Sequence, residues 1–265
     1  MGSTSVTAMH ALGTVELAIL ALVGAAAGFV NTVAGAGSLL SLRALMVLGL
    51  PATLANGTNR VPVMAQSIAA TLGFSKERKL PMAAIAWTAA PASIGALAGS
   101  IGASFVPEKP MRLLLIVVLF FVGLLGLRAP KVAKDAHEID DAGVVAICRA
   151  PRVVAWSFFA GAYGGFLQAG VGLILLHALA TVGGLDLIRA NALKVVVVAT
   201  FSVVAATVFI ARGQVHWIAA AAMTAGSVVG ARIAVAYAIK WAQRLKLFVV
   251  IVDLLACVFL LLQEL

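Results

Sequence analysis

Apolar positions dominate this chain, and they come in runs too long for any soluble fold. Stretches long enough to span a bilayer run over 14–34, 52–74, 81–104, 111–128, 152–169, 187–211, 215–239 and 245–263. A helix needs about 20 apolar residues to cross, so this pattern predicts about eight long transmembrane helices. Two further apolar pieces, 38–49 and 172–183, are too short to cross an unthinned bilayer and read as broken or re-entrant helices. Each follows a glycine pair, Gly35-Ala36-Gly37-Ser38 and Gly170-Val171-Gly172. Glycine lets a backbone turn sharply and approach a neighbour or ligand closely.

The two short segments belong to an internal repeat. Gly35 and Gly170, Gly37 and Gly172, Gly49 and Gly184, Asn56 and Asn191, and Gly95 and Gly230 are all 135 positions apart. A constant, ungapped offset at turn and polar positions predicts two homologous halves rather than a chance likeness of Ala/Gly/Val-rich helices. The first transmembrane repeat covers 1–128 and the second 152–265, with a polar linker, 129–151, between them.

Composition agrees. The 265 residues are 63% hydrophobic and 11% charged, against roughly 45–50% apolar and about 25% charged in soluble domains, and mean hydropathy is +1.10. A soluble enzyme and a disordered chain are excluded. The net charge of +9 suits topology better than nucleic acid, because basic loops stay in the cytoplasm. Loop 75–80 carries Lys76, Arg78 and Lys79, whereas its counterpart at 210–214 carries only Arg212. Loop 105–112 is nearly balanced, whereas its counterpart at 240–246 holds Lys240, Arg244 and Lys246. Matching loops fall on opposite sides, as an inverted repeat requires. The linker is then cytoplasmic and both termini are periplasmic. Met1 to Gly13, without Lys or Arg, is expected to be a short external tail.

In so apolar a chain, polar groups at membrane depth are functional candidates. Asn31, Thr32, Gly35, Gly37 and Ser38 mark the first break. Ser38 reads equally well as the N-cap of the short helix. Asn56, Asn59 and Arg60 share a helix face by spacing, with Gln66 further along. A guanidinium flanked by amides suits an oxyanion, although snorkelling to an interface would also explain Arg60. In the second half, Gln168, Gly170 and Gly172 mark the break, and Asn191 and Lys194 lie one turn apart. Arg60 and Lys194, one per repeat, are expected to converge into one basic pocket for an anion. His177 is either a proton relay or a hydrogen-bonded core residue. Arg232 and Asp253 read as buried partners or as residues facing polar cavities.

Enzyme chemistry has no foothold. There are no paired carboxylates, no Ser/His/Asp pattern and no metal-ligand spacing, and Cys148 and Cys257 form no framework. Gly35-x-Gly37 is not a nucleotide loop, because no strand precedes it. No cofactor and no metal are expected.

The run Asn31-Thr32-Val33-Ala34-Gly35-Ala36-Gly37-Ser38-Leu39-Leu40, then Gly49-Leu50-Pro51, then Ala55-Asn56-Gly57-Thr58-Asn59-Arg60 with Gln66-Ser67, resembles the sulfite exporter TauE/SafE family of membrane permeases. Gly170-Val171-Gly172 through Ala190-Asn191 is similar to that family's degenerate second repeat. The glycine runs here are shorter than the family's, and Arg43 and His177 stand where prolines are common. The resemblance implies a bacterial inner-membrane carrier for a sulfur-containing anion such as sulfite or an organosulfonate.

The expectation is therefore an all-α polytopic membrane protein of two inverted repeats. It would work as a secondary transporter by alternating access, with proton coupling and a homodimer as open additions. A carrier for another small organic anion or an amino acid, an anion channel, and a non-transporting scaffold are the alternatives.

Overall fold

The structure is a computed structural model that describes residues 12–76, 84–127 and 140–237. Among these residues there is no strand. Eleven helices follow in chain order: α1 (Thr14–Ala34), α2 (Ser38–Val47), α3 (Ala52–Thr58), α4 (Arg60–Lys76), α5 (Ile85–Ser104), α6 (Glu108–Leu127), α7 (Asp141–Arg149), α8 (Pro151–Phe166), α9 (Val171–Leu176), α10 (Leu187–Ala211) and α11 (Trp217–Tyr237). Helix α9 continues as a π-helical stretch, His177–Val182. The span at 245–263, loops 75–80 and 240–246, most of the linker, and Asp253 and Cys257 lie outside the described residues or side chains.

Four described helices, α1, α5, α10 and α11, are both long and apolar enough to cross a membrane. A fifth span is added if α7 and α8, bent by 67° at Ala150, count as one. The bend follows from Pro151, which drives the residue before it out of the helical region: Ala150 sits at φ −57° and ψ 133°. The run at 52–74, expected to be one helix, is interrupted at Asn59. Pro62 is the reason, since it has no N–H to return to the Thr58 carbonyl. Its counterpart α10 carries Val197 at that register and is continuous.

The termini of the short helices are written in glycine. Helix α2 ends in a Schellman turn: Gly49 has φ +87°, its N–H reaches Met46 O at 3.0 Å, and Leu50 N–H reaches Leu45 O at 3.0 Å. Gly35 at φ +78° closes α1, and Gly170 at φ +68° opens α9. Positions 35 and 170, and likewise 49 and 184, thus share the same left-handed backbone.

Close packing uses small residues. Gly24 and Gly28 of α1 lie against the backbone of Met223 and Ser227 in α11, and Gly226 and Gly230 of α11 lie against Ala21 and Ala25. Helices α5 and α8 repeat the device, with Gly95 and Gly99 against the backbone of Phe158 and Ala162, and Gly161 and Gly165 against that of Ala92 and Ala96. Without a hydrophobic drive in lipid, helices associate through such close backbone contact. Helix α4 packs on α11 and α10, and α10 packs on α5, so α4 and α10 form the centre.

The distribution of polarity is inverted relative to a soluble protein. Leu22 is 72% exposed and Phe159 63%, whereas Arg60, Asn56, Asn59 and Gln168 are each 0% exposed and Lys194 1%. An apolar exterior around a charged interior is stable only where the surroundings are lipid.

Candidate functional site

The breaks after α1 and α8 free the last carbonyls of both helices, which have no helical donor. Arg60, first residue of α4, serves α8. Its Nη1 donates to Gly164 O and to Gln168 Oε1 (3.0 Å), and its Nη2 donates to Asn56 Oδ1 (2.9 Å) and Phe166 O (3.1 Å). The guanidinium also lies 4.8 Å from the Phe209 ring centroid. Lys194 on α10 serves α1 in the same manner, with Nζ donating to Asn31 O and Thr32 O at 3.0 Å each. A cation at a helix C-terminus is electrostatically favoured. Each half therefore contributes the cation that closes the other half's broken helix.

The two breaks also meet directly. Ser38 Oγ donates to Gln168 O (2.9 Å) and accepts from Gly170 N–H (3.2 Å). Ser38 is thus not the N-cap of α2; Gly37 occupies that place, and the serine is spent on the turn between α8 and α9. A Cβ on Gly35 would fall on the backbone of Gly172, and one on Gly172 would fall on Gly35. Gly37 packs against Ala27 and Asn31 of α1.

The two cations do not share one pocket. A cavity of about 10 Å³ is lined by Asn31, Thr32, Ser67, Gly172, Lys194, Val195 and Val198. Arg60 is not in its wall. Of the sequence-derived candidates, Asn31, Thr32, Gly172 and Lys194 gather there. Arg60, Asn56 and Gln168 form a second cluster, to which Ser38 and Gly170 bind.

Both cations keep one uncommitted donor, but only Lys194 lines the cavity; the Nε–H of Arg60 is buried without a partner and away from that wall. An ammonium has three protons, and two are committed to Asn31 and Thr32. One proton is left over, and Lys194 lines the cavity together with Ser67. All four Nη protons of Arg60 are committed.

The remaining candidates divide. Asn59 Oδ1 accepts from Ser41 Oγ at 2.5 Å while its Nδ2 is buried without a hydrogen-bond partner, and Asn191 Oδ1 is likewise unpartnered. Gln66 is buried but does not line the cavity. His177 is exposed, edge-to-face with Trp156 at 5.6 Å, and is not the core histidine that a lone His in an apolar helix suggests. Arg232 is exposed, not a buried partner. Among the described residues no three His, Cys, Asp or Glu side chains gather to hold a metal.

Sequence reasoning missed Ser202, whose Oγ accepts from Gln168 Nε2 at 3.0 Å, and Tyr163, whose hydroxyl donates to Ala169 O at 2.5 Å. Ser202 was within reach of the repeat, since Ser67 and Ser202 are also 135 apart.

An apolar-walled bundle whose broken helices are closed at depth by buried cations has the build of a multi-pass membrane permease. The chain belongs to the sulfite exporter TauE/SafE family, whose model matches residues 20–260. It is 28% identical over 223 residues to a probable membrane transporter protein of Haemophilus influenzae, covering 84% of this chain and 85% of that one. It is 27% identical over 229 residues to the probable membrane transporter protein YfcA of Escherichia coli K12, covering 86% and 83%. A probable membrane transporter protein, ORF9, of a Sinorhizobium species is 27% identical over 253 residues, covering 92% of each. No solved structure matches the chain. The protein is a membrane transporter.

Proposed function

We propose that the protein is a secondary transporter that exports a small sulfur-containing anion, sulfite or an organosulfonate, across the bacterial inner membrane. The observation that carries this reading is the Lys194 ammonium: buried, two of its protons held by α1 carbonyls, in the wall of a cavity that Ser67 and Gly172 also line. A positive group with one uncommitted donor, beside a hydroxyl, suits an oxyanion.

Two inverted repeats rocking about this point would expose the anion alternately. Supporting that mechanism are the shared left-handed glycines at 35 and 170, and the crosswise pairing of α1 with α11 and of α5 with α8. The cavity holds about one water, so this conformation is closed and a solute of several atoms enters only when the repeats move apart. The inside-negative potential drives an anion outward, so export needs no coupled proton, and exposed His177 offers no relay into the cavity.

The test is radiolabelled sulfite flux in proteoliposomes. Wild-type protein should give saturable flux, and Lys194→Met should bring it to the protein-free background while eluting as the same monodisperse species. Normal flux in that variant would overturn the site. Flux rising linearly with concentration would identify a channel, and flux of carboxylates or amino acids in preference to sulfite would change the substrate class.

A further inference from the structure

The cavity has a counterpart in the other half of the chain. Moving the lining residues by 135 positions carries Asn31 to Phe166, Thr32 to Leu167, Ser67 to Ser202, Gly172 to Gly37, Lys194 to Asn59, Val195 to Arg60 and Val198 to Val63. Both sets thus contain a serine, a glycine at a helix break and a buried cation, the cations one position apart in register.

They differ in what stands between those groups. At the first, Ser67 and Lys194 line the cavity, with no side chain bridging them among the hydrogen bonds of the described residues. At the second, the Gln168 side chain lies between them: its Oε1 accepts from Arg60 Nη1 at 3.0 Å, and its Nε2 donates to Ser202 Oγ at 3.0 Å. Gln168 is fully buried, and its carbonyl is pinned by Ser38 Oγ at 2.9 Å. It is also the one non-glycine residue with positive φ (+62°) among the described residues, a backbone that a glutamine adopts only when its surroundings enforce it. Position 33, its counterpart, is a valine in the last turn of α1, so the first half has no equivalent amide.

Building on the anion reading of the Lys194 cavity, we infer that the protein holds one anion site per chain, at Lys194 and Ser67, and that the Gln168 amide is a built-in occupant closing the counterpart at Arg60 and Ser202. The amide oxygen takes the place of an anion oxygen on the guanidinium. The arrangement makes the two halves unequal in ligand binding while keeping them alike in fold.

The test counts sites. The purified full-length protein in detergent is titrated with sulfite by calorimetry. Wild type should bind one sulfite, and Lys194→Met should weaken that site by about 10- to 100-fold, the worth of one charge-assisted hydrogen bond. Gln168→Ala should bind two. The double variant Lys194→Met/Gln168→Ala should bind one, because Arg60 is then open. Should Gln168→Ala not elute as a folded species, Gln168→Asn keeps an amide too short to span from Arg60 to Ser202 and carries the same expectation. Two sites in wild type, or one site in a folded Gln168 variant, would overturn the inference and leave the transport reading standing. No binding of sulfite, sulfonate or other small anions by wild type would overturn the anion reading itself.

Discussion

Gly35 and Gly172 touch backbone to backbone, each occupying the place where the other's Cβ would be. This contact joins the break after α1 to the start of α9 and brings the Lys194 cavity against the seam. Alanine at Gly35 meets both the backbone of Gly172 and a φ of +78°. The left-handed conformation alone costs about 1–2 kcal/mol, and the clash adds to it. We expect Gly35→Ala and Gly172→Ala to lower the thermal midpoint in detergent and to abolish flux. Gly49, at φ +87° with open space around it, is the control. Gly49→Ala should lose only the conformational term and keep its transport.

Arg60 and Lys194 look equivalent in sequence, but they should fail in different ways. Arg60→Met strips the donor from Gly164 O, Phe166 O, Asn56 Oδ1 and Gln168 Oε1, all within the bundle. A buried acceptor left unsatisfied costs about 1–3 kcal/mol, so a loss of at least about 2 kcal/mol is expected. The readout is a fall in monodisperse yield and melting temperature, with flux lost through instability. Lys194→Met removes one donor from two carbonyls, one of which, Asn31 O, also accepts from Gly35 N–H at 2.9 Å. Its melting temperature should stay closer to wild type while its flux disappears. Equal destabilisation by both substitutions would refute the distinction.

The difference between these two cations marks the limit of what the sequence showed. Helix content and the two short segments were legible, because apolar runs and glycine turns are local signals, and the left-handed glycines at 35 and 170 and at 49 and 184 keep the 135-residue offset. Four helices also carry Gly-x-x-x-Gly, at Gly24/Gly28, Gly95/Gly99, Gly161/Gly165 and Gly226/Gly230, so even the α1–α11 and α5–α8 seams left a mark. The fate of a buried proton is not local. That Arg60 is consumed by α8 depends on where α8 ends, at Phe166 and not at residue 169, and on Gln168 turning inward. Spacing along α3 and α4 places Asn56 beside Arg60 but is silent about the carbonyls of another helix.

Glu108 offers a stabilising role with no part in the site. Helix α3 begins after Pro51 with no side-chain cap of its own. The carboxylate of Glu108, at the start of α6, supplies one instead, accepting from Ala52 N–H (2.5 Å), Thr53 N–H (3.0 Å) and Thr53 Oγ1 (2.7 Å). The corresponding helix α10 is capped within the chain, by Asp186 Oδ1 on Ile188 and Arg189 N–H. Removing a cap costs about 0.5–2 kcal/mol. Glu108→Ala should lower stability by that amount and leave the apparent affinity for the transported anion unchanged. A change in affinity would mean that α3 moves during transport.

Inversion of the two halves can be read by labelling from one side. Helices α4 and α10 end 135 positions apart, at Lys76 and Ala211. The end of α4 and the residues after it carry Lys76, Arg78 and Lys79, and the loop after α10 only Arg212, which is exposed and lies 4.2 Å from the Phe105 ring centroid. Basic loops are retained in the cytoplasm, so these ends should face opposite sides. Starting from a variant with Cys148 and Cys257 replaced by alanine, Arg212→Cys should react with an impermeant maleimide in intact spheroplasts. Lys79→Cys should react only after the membrane is permeabilised. Labelling of both from the same side would place the halves parallel, and alternating access about the Gly35–Gly172 contact would then lose its symmetry.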